Sequence, residues 1–383
     1  MISYGKQHID TKDIKAVTNA LKSDFITQGP LIEKFEQSLK RYFSCKYASV
    51  VSSGTAALHL VALALNFNKK DLIITSPNTF LATANCAIYS GSKIDFVDID
   101  KYTFNLDPNL LEEKIKKLKN KVKATIVTDY AGHPADWKAL SFLSKKYNFF
   151  LINDNCHSIG SEYFNSKSYA LKYADIATLS FHPVKTITSG EGGAVLTNDK
   201  NICRKINLLR NHGMERNNKL LKKRGMWFYE MNNLGYNYRL TDIQCALGIS
   251  QLKKINKFIK KRRKIAKKYN SKFRNNKNLI IPNEKKNIKH SYHLYSLQIN
   301  FTKIKIKKIE LFKKFLEKKI KLQVHYIPLH LQPYYKKNYG FKKGDFPVAE
   351  DFYKKQVSLP IFYSLKNKLI NKIAKIINLY TQN

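Results

Sequence analysis

A single lysine stands between two apolar segments, in a stretch rich in small residues. Residues 175–181 are largely apolar, Lys185 follows, and three glycines fall within four positions before a second apolar run at 194–196. This pattern predicts two strands joined by a tight loop that presents Lys185. A lysine in apolar surroundings loses proton affinity because desolvation disfavours its charged form. Its neutral amine is a nucleophile that can form a Schiff base, so Lys185 is the candidate catalytic residue.

Two other residues follow predicted strands and could act on a heteroaromatic ring. Asp154 closes the apolar run 149–153, and an ionised carboxylate at such a position needs a cationic partner. A protonated pyridine nitrogen would serve, and the carboxylate would keep the ring an electron sink. Phe80 lies in a strand-end loop and offers a flat face for stacking. The alternatives are a turn or capping aspartate, a core phenylalanine and, for Lys185, an exposed lysine of a hairpin.

A third group of residues could hold an anion. The segment 52–60 reads as the end of a strand, a turn of serine and glycine, and a helix. A helix N-terminus with small residues offers free backbone N–H groups to an anion, so Ser53, Gly54 and Thr55 are candidate phosphate ligands. An ordinary helix cap is the alternative. The segment lacks the glycine spacing of a dinucleotide-binding loop.

The elements that position these residues alternate between strands and helices. Predicted strands at 47–51, 72–75, 93–99, 124–128 and 149–153 are separated by helical segments. Such alternation indicates an α/β fold, with a mainly parallel sheet and helices on both faces. Ligands of these folds bind beyond the carboxyl ends of the strands. The candidate residues all fall at such ends.

The chain of 383 residues is long enough for a large domain and a smaller one. We expect a large domain over 1–250 and a small α+β domain over 251–383, which includes a long linking helix. Within the second domain, alternation predicts strands at 290–299 and 322–326, and an aromatic, glycine-containing loop at 332–346. In the first, residues 214–227 read as a basic surface loop.

Composition argues against several other classes of protein. The net charge of +41 comes from 69 lysines and arginines spread over most predicted helix faces, which indicates a compositional bias more than specific nucleic-acid binding. Five scattered cysteines suggest reduced thiols, and no zinc motif is present, so no metal is expected. No apolar run is long enough to span a membrane, and the N-terminus does not resemble a signal peptide. A cytoplasmic protein is therefore expected.

Several co-linear motifs together resemble the pyridoxal-phosphate sugar aminotransferases of type I fold, the DegT/DnrJ/EryC1/StrS family. The resemblance covers nearly the whole chain and implies a mainly parallel, seven-stranded-type sheet in the large domain. The motifs are TQGP at 27–30, SSGTAALHL at 52–60, SPNTFLATAN at 76–85, DNCH at 154–157, SFHPVKTITSGEGG at 180–193 and GYNYRLTDIQ at 235–244.

The resemblance implies a role for each candidate residue. Pyridoxal 5'-phosphate would be bound as a covalent aldimine on Lys185, with Asp154 on the pyridine nitrogen and His157 on the 3-hydroxyl. Phe80 would stack on the ring, and Ser53, Gly54, Thr55 and Ser180 would hold the phosphate. Asn237 would reach the phosphate site of a second subunit, which implies a homodimer. The nucleotide-sugar site would be lined by Tyr4, Asp24, Phe25, Ile26, Thr27, His325, Tyr326, Ile327 and Pro328.

The same resemblance implies the reaction. L-Glutamate would give its amino group and leave as 2-oxoglutarate, and the 4-keto group of a UDP-linked sugar would receive the nitrogen. Segments 182–185, 227–230 and 323–335 favour a 4-keto-6-deoxy-N-acetyl-hexosamine on the route to pseudaminic acid. Another nucleotide-linked keto-sugar, of bacillosamine or perosamine type, remains an alternative. Dehydratase relatives carry histidine in place of Lys185, and a regulatory protein on this fold would lack Lys185 or Asp154. One departure is visible, since Asn153 replaces the usual acidic residue before Asp154.

Overall fold

A computed structural model describes residues 1–118, 121–216 and 218–382. Its centre is a seven-stranded sheet of order β1-β8-β7-β5-β4-β2-β3. Strands β7, β5, β4, β2 and β3 are parallel, whereas β8 runs antiparallel to both of its neighbours. The strands are β1 (Tyr47–Val51), β2 (Leu72–Thr75), β3 (Lys93–Phe96), β4 (Val122–Thr128), β5 (Phe150–Asp154), β6 (Glu162–Tyr163), β7 (Ile176–Ser180) and β8 (Gly193–Thr197).

Helices cover both faces of this sheet, as the alternating pattern predicts. Several begin at side chains that cap their free N–H groups. Asp10 and Asp13 form a capping box on the first helix, and Thr241 and Gln244 form another on the tenth. The helices up to residue 252 are α1 (Thr11–Leu21), α2 (Pro30–Phe43), α3 (Gly54–Ala64), α4 (Leu81–Tyr89), α5 (Pro108–Lys117), α6 (Trp137–Tyr147), α7 (Tyr169–Tyr173), α8 (Lys200–Leu209), α9 (Asn218–Arg224) and α10 (Asp242–Leu252).

The rest of the chain adds a long helix, a small antiparallel sheet and further helices. Strand β13 lies between β11 and β14 in this sheet, and β12 pairs with β6. The strands are β9 (Met214–Glu215), β10 (Glu230–Met231), β11 (Leu279–Ile280), β12 (Ile288–Lys289), β13 (Tyr295–Ile299) and β14 (Gln356–Leu359). The helices are α11 (Ile255–Phe273), α12 (Lys308–Glu317), α13 (Pro333–Tyr339), α14 (Pro347–Lys355) and α15 (Asn367–Thr381).

Two large apolar clusters hold these parts together. One packs α3, α4 and α8 against the central sheet and also takes in Tyr335 and Phe352 from the C-terminal part of the chain. The other joins α11, the small sheet and α15 around residues such as Tyr269, Leu297 and Ile373. The domain division at 250/251 stays a prediction. All five cysteines lie in the described part of the chain and are free thiols.

Four local predictions were wrong. Residues 214–227 contain β9 and α9 and are not a simple loop. The strand expected at 290–299 begins only at Tyr295, because Tyr292 has a positive φ of 51° that interrupts an extended chain. Residues 322–326 form no strand apart from one bridge between Gln323 and Ser358, and residues 332–346 contain α13.

Candidate active site

A cavity of about 550 Å³ opens at the carboxyl edge of the central sheet. The carboxyl ends of β2, β4, β5 and β7 meet there because these strands are parallel. Strand β1 ends at the same edge, since it and β7 both run antiparallel to β8. Eleven of the residues singled out in the sequence line this cavity: Tyr4, Ser53, Gly54, Thr55, Phe80, Asp154, His157, Ser180, Lys185, His325 and Tyr326.

Lys185 lies in the loop that joins β7 to β8, as the sequence predicts. Its backbone N–H donates to the carbonyl of His182, and the loop is closed by two donors, Thr188 Oγ1 and Ser189 N, to the carbonyl of Phe181. Burial lowers the pKa of the Lys185 amine, and the nearby Cys156 thiol and Asp154 carboxylate offset this only in part. The amine is therefore more readily available in its neutral, nucleophilic form than that of a surface lysine.

Asp154 ends β5 with its carboxylate almost fully buried. One carboxylate oxygen accepts hydrogen bonds from Thr83 Oγ1 at 2.7 Å and Thr128 Oγ1 at 3.3 Å. The other accepts from the backbone N–H of Cys156. Neutral donors hold the group in place but do not neutralise its charge, so the carboxylate can still stabilise a cation in the cavity.

The N-terminus of α3 faces the same cavity. Ser53 caps the helix by accepting from the N–H of Ala56, whereas the first-turn N–H groups of Gly54 and Thr55 have no intrahelical acceptor. A Cβ at Gly54 would lie 2.9 Å from the Cβ of Ser180, and one at Gly193 would lie 2.4 Å from the carbonyl oxygen of Ser53. Both glycines are therefore needed for the helix to approach β7 and β8 so closely. The arrangement suits an anion bound by backbone N–H groups and the Ser180 hydroxyl.

His157, His325 and Tyr326 also line the cavity. His157 Nε2 and the Tyr326 hydroxyl are 3.0 Å apart and share a hydrogen bond. Burial, together with the positive charge of Lys185, lowers the pKa of His157 well below its usual value, so its ring is neutral. Burial likewise lowers the pKa of His325 to about 3. His157 and His325 can therefore contact a ligand in the cavity through hydrogen bonds between neutral groups and through aromatic contacts.

Other predicted residues do not line the cavity. Asp24, Phe25, Ile26 and Thr27 are exposed between α1 and α2, where Thr27 forms a bridge with Thr241 and the Ile26 carbonyl accepts from the N–H of Asp242. Asn237 is also exposed. Ile327 and Pro328 follow Tyr326 but lie outside the cavity lining. Their predicted roles stay predictions.

The cavity also contains residues that sequence reasoning missed. Thr83 and Thr128 hold Asp154, and Thr79 bonds to both of them. Thr128 stands opposite Asp154 in the parallel register of β4 and β5. A search for polar residues at the ends of adjacent predicted strands would have found it. Cys156 and Gln323 also line the cavity.

The residues present fit pyridoxal phosphate. A half-buried amine of lowered pKa, a buried carboxylate and a helix N-terminus face one cavity, and they match the cofactor's aldehyde, pyridine nitrogen and phosphate. The Nδ1 atom of His157 is buried with no partner among the described residues, so it can still bind a hydroxyl group. Across residues 1–118, 121–216 and 218–382, no group of three or more His, Cys, Asp or Glu side chains could hold a metal ion.

Fold and site together define an enzyme of the pyridoxal-phosphate aminotransferase class. The model of the DegT/DnrJ/EryC1/StrS aminotransferase family matches residues 7–378, and the chain belongs to this family. The UDP-4-amino-4,6-dideoxy-N-acetyl-β-L-altrosamine transaminase of Campylobacter jejuni subsp. jejuni is 41% identical over 368 residues, 96% of this chain and 94% of the relative.

Solved structures agree with this assignment. PseC of Helicobacter pylori, an aminotransferase involved in the biosynthesis of pseudoaminic acid, superposes with a TM-score of 0.90 at 33% identity and 99% coverage of both chains. A sugar aminotransferase of Streptococcus pneumoniae in its PMP form has a TM-score of 0.90 at 25% identity and 98% coverage of both chains. These findings confirm the predicted fold, enzyme class and cofactor. In the described part of the chain, no helix combines the length and apolar character of a membrane span.

The lowered pKa of Lys185 gives a first prediction. In the cofactor-free protein, we expect Lys185 to react with a limiting amine reagent such as acetic anhydride at lower pH than exposed lysines do, because more of its amine is neutral at each pH. Mass spectrometry of the labelled peptides over a pH series measures this. Lys167, whose amine contacts Asn256 at the surface, is an internal control. Equal labelling midpoints for the two lysines would contradict the prediction.

Proposed function

We propose that this chain transfers the amino group of L-glutamate to the 4-keto group of a UDP-linked 4-keto-6-deoxy-N-acetyl-hexosamine. The product would be UDP-4-amino-4,6-dideoxy-N-acetyl-β-L-altrosamine, an intermediate of pseudaminic acid biosynthesis. The observation that carries the transfer chemistry is that Lys185 and Asp154 line one cavity with the N-terminus of α3. Support for this particular sugar comes from the 41% identical relative that carries this product in its name.

In this proposal each residue of the site has a distinct role. When bound, pyridoxal phosphate supplies an aldehyde to carry nitrogen and a ring that draws electrons from the adjacent carbon. Lys185 Nζ would hold it and, when free, would act as the general acid and base that moves a proton at the substrate carbon. The Asp154 carboxylate would keep the ring nitrogen protonated. The N–H groups of Gly54 and Thr55, with the Ser180 hydroxyl, would bind the phosphate.

The sugar would bind on the aromatic side of the cavity. Phe80, half exposed at the start of α4, would stack on the cofactor ring. Tyr4 lies against His325 with ring centroids 4.9 Å apart, and both line the cavity beside Tyr326. Aromatic faces and neutral hydrogen-bonding groups suit a sugar, which is uncharged away from its diphosphate. The exposed segment 24–27 would contact the nucleotide.

We further propose a homodimer in which each subunit completes the other's site. Asn237 is exposed and does not line the cavity of its own chain, as expected for a residue that reaches a partner's phosphate. Large apolar side chains near it in sequence are also exposed, which suits burial against a second copy. They include Trp227, Tyr229, Met231 and Leu234, with exposed fractions between 53% and 77%.

The reaction is tested with the purified protein loaded with pyridoxal phosphate. Addition of L-glutamate should bleach the visible absorption of the bound cofactor and release 2-oxoglutarate, and the UDP-4-keto-sugar should restore the absorption while it gains an amino group. Mass spectrometry and NMR of the product identify the sugar and its configuration. If only a keto-sugar of bacillosamine or perosamine type restores the absorption, the proposed acceptor is wrong. If glutamate has no effect, L-glutamate is not the donor.

Shared sites predict complementation between inactive variants. Lys185→Ala and Asn237→Ala are each expected to lose most activity as pure dimers. In a mixed dimer, one site would combine the intact Lys185 of one subunit with the intact Asn237 of the other. Because half of randomly mixed dimers are hybrid and each has one intact site, activity should recover to about a quarter of the wild-type value. Mixing after mild denaturation, followed by the glutamate assay, measures this recovery.

The control is a mixture of Lys185→Ala with Asp154→Asn. Both of these residues line the cavity within one chain, so a hybrid dimer has one site carrying each defect and no intact site. No recovery is expected. Equal recovery in both mixtures, or none in either, would contradict a shared site at Asn237.

A further inference from the structure

One buried carboxylate beside the cavity is not among the residues that line it. Asp129 follows β4 directly and has no exposed surface. Five groups donate hydrogen bonds to its two oxygens, at distances between 2.6 and 3.3 Å. These donors are the backbone N–H of Ala135, Trp137 Nε1, Asn155 Nδ2, Ser158 Oγ and the Tyr169 hydroxyl. No sequence motif singled out Asp129.

The two oxygens of Asp129 hold different parts of the chain. Oδ1 accepts from Ala135 and Trp137, at the start of α6. Oδ2 accepts from Asn155 at 3.3 Å and from Ser158 at 2.7 Å, the residues on either side of Cys156 and His157. This short helical turn begins directly after Asp154, which caps it by accepting from the N–H of Cys156. Asp129 therefore ties the active-site turn to a fixed part of the fold.

Besides Asp129, one other carboxylate holds this turn, since Asp154 accepts from the N–H of Cys156, whereas contacts such as that of Ser291 Oγ with the His157 carbonyl join neutral groups. Hydrogen bonds to a carboxylate are roughly twice as strong as those between neutral groups. Burial raises the pKa of Asp129 to about 6 despite its five donors, so an ionised carboxylate is stable there only while those donors remain in place. A change at Asp129 should therefore displace the residues that donate to it, and Asn155 and Ser158 flank His157.

We propose that Asp129 is a positioning residue for the transamination: its buried carboxylate fixes the turn 155–158, and so the placement of His157 and the direction of Asp154 in the cavity. This inference rests on the proposed function, because it assigns Asp129 a part in that reaction. The competing explanation is a purely structural role, in which Asp129 only anchors α6 and stabilises the fold.

The test compares three variants of the cofactor-loaded enzyme. Asp129→Asn keeps the size of the side chain but replaces one acceptor oxygen with an NH₂ group that faces donors. Ser158→Ala removes a single donor on the side of the active-site turn. Asp136→Asn is the matched control: this exposed residue caps α6 by accepting from the N–H of Ala139 and does not contact the turn. Melting temperature, the affinity of the cofactor-free protein for pyridoxal phosphate by fluorescence titration, kcat and KM are measured for each.

A positioning role predicts that kcat and cofactor affinity fall, whereas the KM for the sugar changes little. Because small misplacements of catalytic groups are costly, we expect Asp129→Asn to lower kcat by about 10- to 100-fold, and Ser158→Ala by about fivefold, with KM for the sugar changed less than twofold. Affinity for pyridoxal phosphate should also fall more in Asp129→Asn than in Ser158→Ala. Asp136→Asn should lower only the melting temperature. If Asp129→Asn does not fold, the same measurements on Ser158→Ala distinguish the positioning role from the purely structural one.

The outcomes separate this inference from the proposed function. If the wild-type enzyme neither binds pyridoxal phosphate nor reacts with glutamate, the proposed function fails. If the wild type is active but Asp129→Asn and Ser158→Ala match Asp136→Asn in kcat and cofactor affinity, Asp129 is only structural and the inference is overturned.

Discussion

Lys185→Ala is expected to abolish transamination, with kcat lowered at least about 10⁴-fold, because in the proposed mechanism the variant loses both the covalent attachment of the cofactor and the base that moves the proton. Among the described residues that line the cavity, Lys185 is the sole primary amine, so no neighbour can replace it. Its lowered pKa explains why this lysine, of the many in the chain, is suited to both tasks.

Two measurements and two further variants make this result specific. Steady-state release of 2-oxoglutarate gives the activity, and circular dichroism with thermal melting shows that the variant is folded. Lys185→Arg keeps a positive charge but cannot become neutral, so it should be as inactive as the alanine variant. Lys205→Ala is the control, since this exposed lysine donates to the carbonyl of Ala64 and does not line the cavity. More than one per cent of wild-type activity in Lys185→Ala would contradict the mechanism.

Features set by nearby residues could be predicted from the sequence. The apolar runs on either side of Lys185 and the small residues between them require two strands and a short loop, and the structure has β7 and β8 at those places. The caps at Asp10 and Thr241 are features of the same local kind, because a helix cap depends on residues within one turn. Such local patterns were enough to predict that Lys185 and Asp154 lie at the same edge of the sheet.

Features that depend on distant residues could not be predicted. Thr128 could be picked out as a polar residue at a predicted strand end, but its pairing with Asp154 depends on strand order and register, which the sequence does not state. The same holds for Asp129, whose donors Ser158 and Tyr169 follow it by 29 and 40 residues. Long-range hydrogen bonds of this kind form only once the fold has placed two strand ends together.

Of the three errors in the C-terminal part, the one at 290–299 comes from the positive φ of Tyr292, and the other two have different causes. Residues 322–326 have a strand-like composition, but side chains take their backbone donors: the N–H of Val324 donates to Gln323 Oε1 and that of His325 to Gln356 Oε1. Side-chain acceptors of this kind compete with a strand ladder. The helix α13 was predictable in principle. Pro333 occupies its first turn, and Gly340 ends it in the left-handed region.

Asp154→Asn is expected to lower kcat by about 10²- to 10³-fold, the usual effect of losing one electrostatic contact at a reacting centre. The amide keeps the size of the side chain and can still accept from Thr83. It carries no charge, however, and cannot hold a proton on the ring nitrogen, so the ring becomes a weaker electron sink. The variant therefore separates the charge of Asp154 from its hydrogen bonds.

Thr83→Val is the matched comparison, because it removes the 2.7 Å hydrogen bond to Asp154 and leaves the carboxylate. We expect a loss of about tenfold or less in kcat, since one neutral donor contributes much less than the charge. Glutamate-dependent release of 2-oxoglutarate gives kcat, and fluorescence titration with pyridoxal phosphate gives cofactor affinity. If Asp154→Asn retains at least a third of wild-type kcat, the carboxylate does not act on the ring nitrogen. A larger loss in Thr83→Val than in Asp154→Asn would instead make the orientation of this side chain more important than its charge.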